Sequence, residues 1–179
     1  MTPTTKRGAV TLADKTEDRI PSLAADLASL SPVARRKARK ALVAMGKLSV
    51  PSLIRLLSHR KPHVRWEAAK ALCGIADPIA ASALVNALED RDGDVRWLAA
   101  EGVAALGRDA LQPLLAALLE GSKPSWLYEG AHHVCHTLVK RRELGPIRRP
   151  LLAAVRESEP EVAVPPAAYT ALSRLRELS

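Results

Sequence analysis

Phenylalanine is absent from this chain, and three tryptophans and two tyrosines are its only aromatic residues. A core must then be built mainly from Ala and Leu, side chains that suit close approach of helix on helix. Cysteine is nearly as scarce. Cys73 and Cys135 make no disulfide framework, and their spacing matches no zinc pattern, so a reducing cytosol is the simplest setting. No stretch approaches the ~18 continuous apolar residues of a membrane helix. The opening MTPTTKRGAVTLADK lacks the apolar run of a signal peptide. There is no Gly-rich phosphate loop, and no Ser-His-Asp order that helical spacing would gather. These absences lead us to expect a cytoplasmic protein with no membrane contact, no cofactor and no catalytic constellation.

What is present is a chain of 179 residues, 47% hydrophobic and 26% charged, the size and balance of one globular domain. Its net charge of +8 is unevenly spread. Residues 31–65 hold ten Lys or Arg and no acid, whereas residues 66–120 hold four basic and nine acidic residues. Such polarity suits an acidic partner or nucleic acid at the first third of the chain.

The segment Pro62 to Leu119 falls on itself when shifted by 31 residues: Val64 on Val95, Arg65 on Arg96, Trp66 on Trp97, Leu84 on Leu115, Leu88 on Leu119. A fixed period in the range of about 20–50 residues is the mark of a stacked repeat. Each repeat reads as two helices. The first carries proline in its opening turn, where a missing N–H costs little, in Ile20-Pro21-Ser22-Leu23, Val50-Pro51-Ser52-Leu53, Gln112-Pro113-Leu114-Leu115 and Arg149-Pro150-Leu151-Leu152. The second opens near Ser31-Pro32, Lys61-Pro62, Asp92-Gly93-Asp94 and Lys123-Pro124. Its apolar positions Val64, Ala68, Ala71, Leu72, Ile75 and Val95, Ala99, Gly102, Val103, Leu106 form one face. Gly46, Gly107 and Gly145 are placed to close elements. A fifth second helix is expected late, after Pro165-Pro166. Residues 1–14 read as a disordered tail and residues 15–179 as a single repeat domain.

His63-Val64-Arg65 to Leu72 and Asp94-Val95-Arg96 to Val103 follow the pattern V-R-x-x-A-A-x-A-L. With the Pro-x-Leu helix that follows, this resembles the HEAT-like repeats known from phycobilisome lyases. The resemblance implies an all-α, right-handed α-solenoid of about five helix pairs, with the second helices lining a concave face. Arg65 and Arg96 recur beside the buried stripe, and we expect them to form an internal ladder with acids or carbonyls of the adjoining turn.

Opposite the buried arc, successive second helices present Arg36 and Lys40, then Trp66, Lys70 and Cys73, then Trp97, Glu101 and Ala104, then Glu129, His133 and His136. Tryptophan is the residue most enriched in binding hot spots, so Trp66 and Trp97 are candidate anchors. Lys70, Glu101, Arg36, Lys40, Glu129 and His133 would set orientation around them. The alternative is that both indoles lie flat across the groove as packing. The run Arg35-Arg36-Lys37-Ala38-Arg39-Lys40 is either a solvated capping face or a contact for an acidic protein or phosphate backbone.

Metal chemistry finds little support. His132 and His136 stand four residues apart on one helix, but His133 occupies the place where a zincin has Glu. HEAT-like deoxyhypusine hydroxylases hold two irons with a His-Glu pair directly after V-R. Here that slot reads Trp66-Glu67 and Trp97-Leu98, and the chain contains no His-Glu dipeptide. Alkylpurine DNA glycosylases of similar architecture pair an aromatic with a carboxylate, which Trp97 and Glu101 resemble. The expected function is a non-catalytic module, monomeric, binding a protein segment on its concave face. The alternatives are nucleic-acid binding through residues 31–65, and an enzyme of the glycosylase or bilin-lyase type.

Overall fold

The computed structural model describes residues 17–120, 124–141, 144–157 and 159–177. The tail expected over residues 1–14 lies outside them. Among the described residues five helix pairs follow in order: α1 (Ile20–Asp26) with α2 (Pro32–Ala44), α3 (Val50–Leu56) with α4 (Pro62–Ile75), α5 (Ala81–Ala87) with α6 (Gly93–Leu106), α7 (Leu111–Leu119) with α8 (Ser125–Lys140), and α9 (Arg148–Ala154) with α10 (Pro160–Glu177). Helix α4 packs on α2 and α6, and α6 on α8, so the second helices form a continuous row backed by the first helices. This is the all-α solenoid that the 31-residue period implies.

Local chemistry sets several of the boundaries. Ser31 caps α2 by accepting from the Ala34 amide at 3.4 Å. Asp92 caps α6 by accepting from Asp94 and Val95. At the far ends, Gly46, Gly107 and Gly145 take left-handed φ of 57°, 62° and 51°. The second repeat has Ala76 at this register, held at φ 52°.

The predicted apolar face is the core. Val64, Ala68, Ala71, Leu72, Val95, Ala99 and Val103 are sealed from solvent, facing Leu84, Leu88, Leu114, Leu115 and Leu118 of the first helices. Burial of each such Leu contributes about 1.5–3 kcal/mol. Gly102 is a packing device: a Cβ there would lie 3.0 Å from Leu84 Cδ1. Ala104, which the helical wheel placed outward, is buried instead. The Arg141 side chain crosses from the next helix and donates to its carbonyl at 2.8 Å.

The arginine ladder is present and regular. The Nη1 of Arg35 donates to the carbonyls of Ser29 and Leu30 at 2.9 and 3.2 Å. Arg65 does the same to His59 and Arg60 at 2.9 and 3.3 Å. Arg96 does it to Asp90 and Arg91 at 2.9 and 3.3 Å. Each guanidinium thus satisfies two carbonyls of the turn that joins a first helix to its second. Arg65 alone adds a fork onto Asp90, with Nε and Nη2 at 2.6 and 2.7 Å from its two oxygens. That fork joins one inter-helix turn to the next.

The last pair departs from expectation. Helix α10 starts at Pro160, not after Pro165-Pro166, and runs through both prolines. Their lost N–H bonds would have gone to carbonyls of Glu161 and Val162, which are exposed and open to water. The buried face of Val164, Ala168, Ala171 and Leu172 holds the helix across the gap. Helix α10 also packs chiefly against α7 rather than continuing the row on α8.

Candidate functional site

The exposed side of the second-helix row carries two clusters. The first surrounds Trp66, which is half-buried on α4. Lys70 Nζ lies 4.6 Å from its ring centroid and the Arg39 guanidinium carbon 5.6 Å. The two cations lie in cation–π range of the indole. Arg39 and Arg35 of α2 both reach Glu67, whose side chain is only 6% exposed. A buried carboxylate between two guanidiniums offsets its own desolvation and pins α2 to α4. Arg35 and Arg39 belong to the run expected to be a solvated face or a partner contact. Both are drawn onto Glu67 instead, while Arg36, Lys37 and Lys40 stay exposed. Glu67 was not singled out from the sequence. The equivalent of Glu67 one repeat on is Leu98, so the repeat pattern carried no sign of it.

The second cluster lies between α6 and α8. Trp97 is 56% exposed and Trp126 38% exposed. They flank a groove of about 250 Å³, lined also by Gly93, Arg96, Ala100, Glu129, Gly130 and His133. Gly93 and Ala100 bring little bulk to its wall, while Gly130 allows α8 close to Leu88, where a Cβ would lie 3.1 Å from Cδ2. The His133 ring sits 4.6 Å from the Trp97 ring, and its Nε2 is 2.6 Å from Glu101 Oε1. The Arg96 guanidinium carbon lies 5.1 Å from the Trp126 ring centroid. Trp126 was missed because it stands three residues before the column that aligns Trp97 with Glu129. Its only signal was the rarity of tryptophan.

Of the sequence-predicted residues, Trp97, Glu129 and His133 therefore line one groove, and Glu101 is bonded to His133 beside it. Trp66 and Lys70 form the neighbouring cluster, and Arg36 and Lys40 stand exposed on α2. The two indoles do not pack on each other; each has polar company of its own. A wider depression of about 690 Å³ runs along the turns at His59, Arg60, Arg65 and Asp90, where the arginine ladder already occupies the polar groups.

The two cysteines and the histidine pair add no ligand set. Burial pushes the Cys135 thiol up to about 12 and raises that of Cys73, so neither is a ready thiolate. His132 stacks on His136 at 6.2 Å, and burial foremost, with Arg156 second, lowers its pKa. Among the described residues no group of three or more His, Cys, Asp or Glu is placed to share a metal.

The repeat geometry is matched by sequence. A family model described as HEAT repeats fits residues 20–104 and again residues 50–132, together more than half the chain. The chain belongs to the HEAT repeat family. This HEAT protein is similar to a solved chain from the complex of CpcE and CpcF of phycocyanin lyase from Nostoc sp. PCC7120. Identity is 26% and the TM-score 0.57, over 86% of this chain and 98% of that one. A designed armadillo repeat protein in complex with a (KR)4 peptide aligns at 19% identity and a TM-score of 0.39, over 88% and 91% of the two chains. No curated protein matches its sequence. The HEAT architecture explains the regular Arg rungs and the buried stripe.

Proposed function

We propose that this HEAT protein is a non-catalytic interaction module that holds a segment of a protein partner along its second-helix row. The observation that carries this reading is Trp97, 56% exposed at the lip of a groove in a chain that has only three tryptophans. An indole left in water between polar neighbours is the side chain best suited to anchor a contact. The likeness to a chain solved within the CpcE–CpcF complex supports a protein as the partner. We place the module in the cytosol, as a monomer. Glu101, the carboxylate a glycosylase-like reading would use, is held by His133. We assign that pair to shaping the groove and name no catalytic residue.

Affinity capture from source lysate, with wild type and the W66A/W97A variant in parallel, tests this. The variant should lose its partner while keeping its far-UV circular dichroism. Loss of the helical signal would mean that the indoles belong to the core and the site is wrong.

A second reading has an observation of its own. Arg36, Lys37 and Lys40 are exposed on α2, and Trp66 beside Lys70 offers a stacking platform to a nucleobase. Nucleic-acid binding at this end would show a log–log salt slope near about −0.7 per phosphate contacted by a single strand. Binding insensitive to salt, or none to DNA or RNA, removes it.

A further inference from the structure

The strip changes sign along its length. On α2 and α4 the residues Arg36, Lys40 and Lys70 are exposed, while the one acid of these two helices, Glu67, is buried and bound by Arg35 and Arg39. On α6 and α8 the order inverts. Glu129 is exposed and the Glu101 side chain is 43% exposed beside His133, while exposed Asp94 faces back towards Trp66. Arg96, the one basic residue lining the groove, is tied to two carbonyls and to Trp126. The groove, at about 250 Å³, is below the size of a typical small-molecule site and suits one long side chain. Arg96 over Trp126 already displays the contact such a side chain would make with an indole.

Building on the interaction reading above, we propose that the strip selects an extended protein segment of fixed charge polarity. One Lys or Arg side chain lodges between Trp97 and Trp126 under the carboxylate of Glu129. Acidic residues of the same segment lie on Arg36, Lys40 and Lys70. Neighbouring helices stand about 8–10 Å apart, and an extended chain advances about 3.3 Å per residue. One helix row therefore corresponds to about three residues. The groove between α6 and α8 lies roughly one and a half rows from α4 and two and a half from α2, so the cation and the centre of the acidic patch sit about six residues apart.

Fluorescence anisotropy with purified full-length protein and synthetic peptides of about twelve residues decides the matter. One peptide carries three acids centred about six residues from a single Lys, made in both chain directions. The second is its charge-inverted counterpart, and the third replaces the Lys with Met. The matched peptide in one direction should bind at least tenfold tighter than either control. R36E/K40E should weaken it at least tenfold and improve the inverted peptide, and W97A/W126A should erase the difference between Lys and Met. Equal binding of the inverted peptide, equal binding of Lys and Met, no binding of any peptide, or displacement of the matched peptide by a single-stranded oligonucleotide at lower concentration overturns the polarity. If polarity fails while W66A/W97A still abolishes partner capture, the interaction strip stands without this specificity. If capture survives W66A/W97A, the strip itself is wrong.

Discussion

Replacing Arg65 by Met tests whether the arginine ladder is decoration or the joint between repeats. Arg65 makes a two-pronged pair with Asp90 at 2.6 and 2.7 Å and a carbonyl bond at 2.9 Å. Its side chain is 13% exposed and that of Asp90 9%, so water screens the pair little. A hydrogen bond to a charged group contributes about 1.5–3 kcal/mol net, and truncation strands the partner. After R65M the Asp90 carboxylate keeps the Asp92 amide at 2.8 Å, so the loss should be about 3 kcal/mol. Arg96 provides the internal control. It makes the same carbonyl bonds at 2.9 and 3.3 Å and has the Trp126 contact in place of a carboxylate fork. R96M should therefore cost about 1–1.5 kcal/mol. For a chain of this size each kcal/mol moves Tm by about 2–4 °C, so R65M should melt about 6–12 °C lower than wild type. Thermal and urea unfolding followed by circular dichroism measure both variants. Because solenoid stability is a sum of repeat and interface terms, the R65M transition should also broaden as the stack uncouples between α4 and α6. R65K should recover less than half the loss, since an ammonium cannot fork. If R65M and R96M agree within about 0.5 kcal/mol, the fork contributes nothing and the repeats are joined by apolar packing alone.

Four further outcomes can be checked on the same protein. Ala76 is held at φ 52° where the other repeats use glycine, so A76G should raise stability by about 0.5–1 kcal/mol in denaturant titration. A decrease would refute the strain. Cys135, raised to about 12 by burial, should resist a thiol reagent in the native state, while half-buried Cys73 reacts slowly and both react fast in urea. The same shift implies that stability falls as pH rises above 9, the ordinary thiol value, because the unfolded thiol ionises first; C135A should flatten that slope. The prolines inside α10 remove two helix bonds, so P165A/P166A should raise Tm, with a net gain of about 2 kcal/mol after the added freedom of the unfolded chain. An unchanged or lowered Tm would mean that the helix depends on them.

The architecture was legible because the same contact recurs. Val64 and Val95, or Leu84 and Leu115, are buried for one geometric reason repeated, and a period of 31 exposes it. The ladder was legible likewise, since Arg65 and Arg96 keep fixed offsets from the carbonyls they cap. The groove was legible only in part. Trp97, Glu101 and His133 share a predicted stripe, but the bond from His133 to Glu101 depends on the rotation of α8 against α6, which no single-helix pattern encodes. Trp126 and Glu67 occupy positions whose counterparts in other repeats are of different character, so periodicity hid them. The docking of α10 on α7 was out of reach because proline signals a helix start and here lies within one.

That final helix also bears on how the protein can be altered. By docking on α7, where the earlier pairs seat a first helix, it leaves the last pair with a geometry unlike that of the pairs before it. Anyone wishing to lengthen this spiral should graft additional modules ahead of α7, where the second-helix row keeps its regular contacts and offers a matching seat.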